Sequence, residues 1–503
     1  MTQSIILGVD VGTSACKAVA VNSEGNVLAL SHAYYSPLSP KPGWFELNPN
    51  AIISAFTTAV RSILREVPAR CVEGVGLDGI SNSPILVDRE HRFLRPCIMW
   101  MDGRGSEYIL AIIRSLDEEG ITPTLPITPL ITLVKLIWVK ENEPNLWRNT
   151  YSVLQPKDYV RMWLTGSIAT DPSDASVTMM FDGETFRWAD YAEGVFGIEI
   201  EKLPEIIPSY RIAGHLTKEA AEQTGLREGT PVVAGCADGV ADVLAAGLTE
   251  RFDSLIRLGT AGVFSTVFDK YLPDKEKYYI FAHAVPEKWV IQRMFPFGLP
   301  HKWFLETFCG EELKYAESMR LDPYVYVEDS LLSDVKKIDE GEMEGLIFIP
   351  NIRVFEDPSR FLGAFIGVKS LHTRKHLMLA LLRGLACAAG EAANIVSQNL
   401  GFTIGRVRLV GGGSRSALIR EMITALLNVK GEVVKHHDAS IGAAILAGVG
   451  TRVYRSFEEA IDKVVKLNHV VEPDKNLQTS LLRTYETYLR VRKAFEHTNN
   501  LRR

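Results

Sequence analysis

The fold is decided by residues 5–14, which have the sequence IILGVDVGTS. A short apolar run ends in Asp10, and a turn of small residues leads into a second apolar run, Ala18–Asn22. Such runs, bounded by glycine and polar turn residues, predict a strand, a tight turn and a second strand. The pattern returns in weaker form past the middle of the chain, where Ser254–Leu258 precedes Gly262–Phe268. We therefore predict two halves that are similarly built.

Length and composition restrict the class of protein. The chain has 503 residues, enough for two or more hydrophobic cores, and its 46% apolar and 23% charged residues are typical of a globular protein. Its 55 Lys and Arg against 61 Asp and Glu give a net charge of −6, which argues against a binder of nucleic acids or anionic membranes. We expect small-molecule partners, with no nucleic acid and no membrane.

Cysteines and apolar segments indicate the compartment. The six cysteines are scattered without a C-x-x-C pair, which is typical of reduced cytosolic thiols. The first ten residues lack a basic head, so they predict a first strand and not a signal peptide. Leu377–Val396 is apolar but contains Arg383 and Glu391, and we interpret it as a buried helix. A cytoplasmic location is expected.

Strand and helix patterns alternate in both halves, which predicts an α/β fold. Pro231–Gly235 is typical of a buried strand, and Asp242–Leu248 of a helix that runs toward a junction. We place the domain boundary there, giving domains 1–248 and 249–503. The periodic, charged segment from Lys475 onward predicts a C-terminal helix.

Three turns are suited to phosphate or nucleotide binding. The segment from Asp10 to Ser14 sets a carboxylate beside small residues whose N–H groups and hydroxyls can approach an anion. Gly259-Thr260 offers a second such turn, and Gly411-Gly412-Gly413-Ser414 lies between a strand and a helix, where free N–H groups can face a ligand. The chain has no G-x-x-x-x-G-K-[ST] segment, which excludes an ordinary P-loop.

The order and spacing of these turns resemble the FGGY carbohydrate kinases from about Ile5 to Gly450, and the xylulokinase branch most of all. Further segments similar to that family are Gly43-Trp44-Phe45-Glu46, Trp100-Met101-Asp102-Gly103-Arg104, Lys135-Leu136-Ile137-Trp138, Lys157-Asp158-Tyr159, Asp171-Pro172-Ser173-Asp174-Ala175 and Asp438-Ala439-Ser440-Ile441-Gly442-Ala443-Ala444. The resemblance implies two ribonuclease-H-like domains of the actin and hexokinase superfamily, with a cleft between them for ATP, Mg2+ and a sugar. A homodimer is compatible with it.

The resemblance also implies roles for individual residues. Asp238, which follows the buried strand and a glycine turn, is the expected catalytic base, and Asp10 the expected magnesium ligand. From the residues alone, Asp238 is equally suited to capping a helix, and Asp242 is a competing carboxylate. The expected nucleotide-binding residues are Thr13, Ser14, Lys17, Gly259, Thr260, Gly411, Gly412, Gly413 and Ser414.

Sugar-binding candidates are less uniform. Asp102 and Arg104 can exchange hydrogen bonds with neighbouring hydroxyls, although a structural ion pair is the alternative. Ser81 and Asn82 occupy the segment where xylulokinases have Gln-Met-His, and 350–358 departs from the family's G-E-R-x-P loop. Three further side chains are candidate pocket walls: Trp44, His301 and Trp303.

The sequence therefore predicts an ATP-dependent kinase for a pentulose or a related ketose. Glycerol, ribulose, rhamnulose, gluconate or erythritol is the alternative acceptor. A chaperone or filament ATPase of the same superfamily would lack the W-M-D-G-R segment, and a sugar sensor without catalysis would not need both Asp10 and Asp238.

Overall fold

The computed structural model describes residues 4–274, 276–333, 338–351 and 363–500. The described residues form two compact units. The first lies within Met1–Arg251, Val267–Ile291 and His436–Lys466, and the second within Phe252–Thr266, Gln292–Lys435 and Leu467–Arg503. The initial segment of the first unit ends at Arg251, near the junction expected after residue 248, and the unit then regains two later segments.

Strands and helices alternate along most of the chain. The strands are β1 Ile5–Val11, β2 Ala15–Asn22, β3 Val27–Tyr34, β4 Glu46–Leu47, β5 Val72–Gly79, β6 Ile85–Val87, β7 Cys97–Ile98, β8 Ser152–Leu154, β9 Ala169–Thr170, β10 Phe181–Asp182, β11 Arg187–Trp188, β12 Glu205–Ile206, β13 Ile212–His215, β14 Pro231–Val233, β15 Cys236–Ala237, β16 Ser254–Leu258, β17 Ala261–Phe268, β18 Tyr279–Ala282, β19 Trp289–Pro296, β20 Ile347–Ile349, β21 Ala364–Ile366, β22 Arg406–Val410, β23 Lys430–Val434 and β24 Leu467–Val471.

The helices are α1 Pro49–Ile63, α2 Ile109–Glu118, α3 Thr132–Asn142, α4 Pro144–Asn149, α5 Pro156–Thr165, α6 Pro172–Ser176, α7 Tyr191–Gly194, α8 Lys218–Thr224, α9 Asp238–Ala245, α10 Gly298–Phe308, α11 Gly310–Ser318, α12 Pro323–Leu332, α13 Glu340–Met343, α14 Arg374–Leu400, α15 Ala417–Leu427, α16 Ala439–Gly450, α17 Phe457–Val464 and α18 Lys475–Asn500. The helix predicted from Lys475 onward is confirmed as α18.

A mixed sheet forms the centre of the first unit. Its strand order is β13-β14-β5-β1-β2-β3, and β15 pairs with β5. The predicted hairpin is present, because β1 runs antiparallel to β2 across the turn after Asp10. On its other side β1 runs parallel to β5, in a register that sets Asp10 opposite Asp78. The carboxyl ends of β1 and β5 thus carry neighbouring aspartates.

Helix α16 packs directly on this sheet because glycines leave room for its backbone. A Cβ added at Gly8 would lie 1.8 Å from the carbonyl oxygen of Ser440, and one at Gly76 would lie 1.9 Å from that of Ala443. On the opposite side of α16, a Cβ at Gly442 would lie 2.2 Å from the carbonyl oxygen of Ala241 in α9. Helices α16 and α9 are therefore held tightly against the strands that end at the aspartates.

The second unit repeats the hairpin arrangement. Strands β19, β17, β16, β22, β23 and β24 lie side by side in that order. Strand β16 pairs antiparallel with β17 and parallel with β22, as β1 does with β2 and β5. The predicted similarity of the two halves is confirmed at this level.

Helix α14 is long and apolar, and its most apolar 18-residue stretch is 83% buried. Among the described residues it is the one helix with the length and composition to span a membrane. Its burial confirms that Leu377–Val396 belongs to a core helix.

Candidate active site

The turn between β1 and β2 is fixed by backbone hydrogen bonds and leaves its hydroxyl groups accessible. Gly12 N–H donates to the Ala15 carbonyl over 3.0 Å, and the Tyr35 hydroxyl donates to the Gly12 carbonyl. Thr13 is half-buried and Ser14 is exposed. Trp100 Nε1–H donates to Thr13 Oγ1 over 3.1 Å, so this tryptophan contacts the turn, although no separate role was predicted for it.

Lys17 bridges two carboxylates at the end of β1. Its Nζ lies 3.3 Å from Asp10 Oδ2 and 3.2 Å from Asp438 Oδ2. Asp438 also caps α16 by accepting from Ser440 N–H. Burial raises the pKa of Asp10 against the attraction of Lys17, and the charges of Asp238 and Asp438 raise it further. In this structure Lys17 is engaged by acids, and its predicted contact with phosphate stays a prediction.

Asp78 is a second buried carboxylate beside Asp10. Its side chain is inaccessible to solvent, and within the described residues neither of its oxygens has a hydrogen-bond partner. Burial and the charges of Asp10 and Asp238 raise its pKa well above the ordinary value, with smaller contributions from Asp438 and Asp242. The acids Asp10, Asp78, Asp238, Asp242 and Asp438 thus gather at this end of the sheet, which makes it attractive to a cation.

This cluster is suited to a hydrated magnesium ion. Carboxylate oxygens are ligands that Mg2+ prefers, and it is usually held by one or two of them together with water and substrate phosphates. In the described part of the chain, no three His, Cys, Asp or Glu side chains form a ready-made metal cage. The unpartnered oxygens of Asp78 nevertheless show that the acids here lack sufficient cationic partners.

Asp238 begins helix α9, immediately after β15. Gly235 has φ +88° just before β15, and a Cβ there would lie 2.1 Å from the Leu77 carbonyl oxygen, so the turn requires glycine. The Asp238 side chain is half-buried and accepts from Gly239 N–H over 2.7 Å. Asp242 lies one helical turn further on, and its carbonyl contacts His437 Nε2 at 3.0 Å. The structure thus brings Asp10 and Asp238 into one acidic cluster.

Ser81 and Asn82 follow β5, beyond Asp78. Ser81 Oγ donates to Asp174 Oδ1 over 2.5 Å. Asn82 has φ +55°, and its Oδ1 accepts from the N–H and the hydroxyl of Thr132, each over 2.9 Å. Both side chains are partly accessible, so they remain candidates for sugar contact.

A buried ionic network supports Ser81. Lys157 Nζ lies 2.6 Å from Asp158, 2.9 Å from Asp171 and 3.0 Å from Asp174, all with inaccessible side chains. Asp158 also pairs with Arg161 at 2.9 Å. This network thus holds Ser81 in place through Asp174. Its lysine and three aspartates come from two segments that carry the family resemblance, Lys157-Asp158-Tyr159 and Asp171–Ala175.

Asp102 and Arg104 form a structural ion pair. The Asp102 carboxylate is fully buried and accepts from Phe45 N–H over 2.6 Å and from Arg104 Nε–H over 2.7 Å. Arg104 stacks over Trp44 at 3.9 Å and reaches Glu46 at 2.9 Å. The structural alternative is the arrangement observed, and a direct contact with sugar stays a prediction.

The second unit contains a cavity of about 460 Å³ at its glycine turns. Four of the predicted nucleotide-binding residues line it, Gly259, Thr260, Gly412 and Gly413, and their contact with a nucleotide stays a prediction. A Cβ at Gly413 would lie 2.3 Å from the Phe297 ring, so glycine lets the loop approach this aromatic wall. The Ser414 hydroxyl instead points back to the Gly411 carbonyl at 2.7 Å.

The three side chains predicted as pocket walls do not line one common pocket among the cavities described. His301 lines the cavity of the second unit. Trp44 packs edge-on against Trp138 at 5.3 Å, and Trp303 packs against Phe308 at 5.7 Å. Most of the departing loop, residues 352–358 within 350–358, lies outside the described residues.

Comparisons with known proteins agree with this architecture. The N-terminal domain model of the FGGY family of carbohydrate kinases matches residues 5–245, and the C-terminal domain model matches residues 279–451. A xylulose kinase from Lactococcus lactis is 30% identical over 463 residues, covering 90% of this chain and 89% of that protein. A gluconokinase from Bacillus subtilis is 27% identical, covering 92% and 90%.

A solved structure shows the same fold. The xylulose kinase from Rhodospirillum rubrum superposes with a TM-score of 0.88 at 24% identity, covering 99% of this chain and all of that one. The predicted two-domain α/β fold and phosphotransferase class are therefore confirmed. With both domain models matched and two mixed sheets in place, the chain belongs to the FGGY family of carbohydrate kinases.

Proposed function

We propose that this kinase transfers the terminal phosphoryl group of ATP to a hydroxyl of a ketose, most simply a pentulose such as xylulose. The observation that carries the proposal is the convergence of Asp10, Asp78 and Asp238 on one acidic cluster beside the Thr13-Ser14 turn. The xylulose kinase relatives support the pentulose, because they match over nearly the whole chain.

Asp238 is the proposed general base. Its position at the start of α9 leaves the carboxylate partly accessible, and a base must be within hydrogen-bond reach of the proton that it removes. It accepts the proton of the attacking sugar hydroxyl as the oxygen bonds to phosphorus. Proton removal typically contributes a factor of about 100 to 10,000, because phosphoryl transfer depends mostly on positioning and charge neutralisation.

Asp10 is the proposed magnesium ligand, directly or through water. When bound, the ion would neutralise charge on the phosphates of ATP. Thr13 and Ser14 donate to the transferred phosphoryl group, and Lys17 adds a positive charge beside it. Gly259 and Thr260 bind the nucleotide phosphates, and 411–414 holds the adenosine.

The acceptor is proposed to be uncharged. Two basic groups of the segments that resemble the family are buried and already engaged: Lys157 by three carboxylates and Arg104 by Asp102. Lys135 donates to the Leu130 carbonyl over 2.5 Å, and burial lowers its pKa to about 7. These groups are poorly suited to bind the carboxylate of an aldonate, which favours a ketose over gluconate although a gluconokinase is among the relatives.

Contacts to that ketose are assigned to Ser81 and Asn82, with Asp102 and Arg104 shaping the adjoining loop. We place the enzyme in the cytoplasm, as its reduced cysteines suggest, and a homodimer is the proposed assembly.

Acceptor specificity is tested by ADP release with Mg-ATP over xylulose, ribulose, rhamnulose, gluconate, glycerol and erythritol. We expect the highest kcat/KM with a pentulose. A higher kcat/KM with gluconate would contradict the proposed ketose and indicate that the acceptor is an aldonate. A Ser81→Ala variant should raise KM for the preferred acceptor with little effect on KM for ATP.

A further inference from the structure

The cavity of the second unit has an apolar body and a polar end. Five side chains form apolar walls: Leu258, Phe297, Leu299, Val325 and Ile419. His301 and Glu328 belong to the polar end and are each only 3% exposed, whereas Lys302, Asp322 and Arg415, which also line the cavity, are more accessible to solvent. Small-molecule sites commonly combine apolar walls with a few polar groups that fix the orientation of the ligand.

The two polar side chains are held in place but incompletely bonded. Glu328 Oε2 accepts from Ser416 Oγ, and Ser416 caps helix α15 directly after the glycine turn. The His301 ring packs edge-on against Tyr324 at 5.1 Å. His301 Nε2 and Glu328 Oε1 lie 3.5 Å apart, and among the described residues neither atom has a hydrogen-bond partner. Such atoms cost free energy unless a ligand pairs with them.

Adenine offers the matching groups. It carries an amino donor at C6 beside the ring acceptor N1, whereas hypoxanthine has a carbonyl acceptor at C6 and an N–H at N1. The apolar walls can bind either base, since both present the same flat rings. Discrimination between the two bases must therefore come from the polar end of the cavity.

We propose that His301 and Glu328 recognise the edge of the nucleotide base and select adenine. Glu328 Oε1 accepts from the C6 amino group, and Nε2–H of His301 donates to N1. A carbonyl at C6 would instead face the acceptor oxygen of Glu328. This inference rests on the proposed function only in placing the nucleotide in this cavity, and it names two residues that determine the choice of nucleotide.

The test is calorimetric titration of the full-length protein with ADP and with inosine diphosphate. We expect the wild type to bind ADP about ten- to a hundredfold more tightly, as one or two buried hydrogen bonds would give. Glu328→Met and His301→Leu should each reduce this ratio to within about threefold. Glu328→Gln keeps an acceptor oxygen and should retain most of the preference, and Glu306→Met, on an exposed part of α10, is the control.

Melting temperatures of the unliganded variants show whether they fold, and two independent positions keep the test valid if one does not. A wild-type ratio near one, an unchanged ratio in both Glu328→Met and His301→Leu, or no binding of ADP would overturn the inference. The ratio needs no acceptor, so a protein that prefers ADP but phosphorylates no sugar would refute the proposed function and leave this inference standing.

Discussion

Asp10 on β1 lies in register with Asp78 on the parallel strand β5, so two buried carboxylates end neighbouring strands. Lys17 pairs with Asp10 at 3.3 Å, whereas the oxygens of Asp78 have no hydrogen-bond partner among the described residues. Two adjacent buried acids, of which only Asp10 pairs with Lys17 among the described residues, favour the entry of a cation. This pair therefore explains why the acidic end of the sheet suits magnesium.

Cation binding should depend on Asp10. We expect Asp10→Asn to weaken Mn2+ binding, measured by electron paramagnetic resonance with ADP present, by about tenfold or more, because the ion loses a carboxylate ligand. Asp462→Asn, which changes an exposed acid of the same unit, is the matched control. Equal Mn2+ affinity in Asp10→Asn and wild type would remove Asp10 from the metal site.

The ion pair of the W-M-D-G-R segment should be structural. Within the described part of the chain, Asp102→Ala leaves the buried Arg104 guanidinium with Glu46 as its one acidic partner, and we expect it to lower the free energy of unfolding by about 3 kcal/mol. Urea denaturation measures the change. Glu90→Ala removes an exposed partner of Arg92 and should leave the free energy of unfolding nearly unchanged, because exposed ion pairs contribute little. A loss of acceptor binding without loss of stability would instead support direct contact with sugar.

Because α16 packs closely on the sheet of the first unit, adding a side chain at a glycine of this contact should destabilise the protein. Gly8→Ala places a Cβ against the Ser440 carbonyl in the helix backbone, and we expect a cost of about 3 kcal/mol or more, seen as poor folding or a lower melting temperature. Gly194→Ala is the matched control, because no atom outside its local chain lies within 4 Å and its φ is not positive. Equal melting temperatures for the two variants would contradict the packing described.

His301 and Glu328, the buried pair in the cavity of the second unit, should make the free energy of unfolding depend on pH in opposite ways. Burial raises the pKa of Glu328 to about 7, so the folded protein keeps a proton that the unfolded chain releases near pH 4.5. Stability is therefore lost as pH rises from about 4.5 to 7. Glu328→Gln should remove this loss, worth up to about 3 kcal/mol at 1.36 kcal/mol per pKa unit.

His301 has the opposite sign. Burial lowers the pKa of His301 to about 4. Between about pH 6.5 and pH 4, His301 is therefore protonated in the unfolded chain and neutral in the folded protein. Stability is lost as pH falls from about 6.5 to 4, and His301→Gln should reduce that loss. Urea midpoints of both variants and the wild type at pH 5 and pH 8 give the comparison. Parallel pH profiles for all three proteins would show that neither group titrates as described.

Local pattern was sufficient for the elements that depend on neighbouring residues. The β1–β2 hairpin, its repeat at β16–β17 and the buried helix α14 follow from apolar runs and turn residues, and all were predicted. The strand and the helix expected on either side of the glycine turn at Gly412 are also present, as β22 and α15. These features need no knowledge of distant contacts.

Features that depend on long-range pairing were not predictable. Asp78 became part of the site because β5 pairs parallel with β1, and Trp100 because its loop returns to Thr13. The signal available in the sequence was Asp78 itself, an aspartate in the next-to-last position of the apolar run that forms β5. The sequence left open whether Arg104 contacts sugar or pairs with Asp102, because it cannot show that Trp44 stacks on the guanidinium group.

We expect Asp238 to remove the proton of a sugar hydroxyl during phosphoryl transfer from ATP. The most direct measurement is kcat for ADP release with the best acceptor, for wild type, Asp238→Asn and, as control, Asp242→Asn in the same helix. We predict a fall of about 100- to 10,000-fold for Asp238→Asn, with KM for ATP nearly unchanged, and a change within about fivefold for Asp242→Asn. Turnover in Asp238→Asn within tenfold of wild type would contradict the claim.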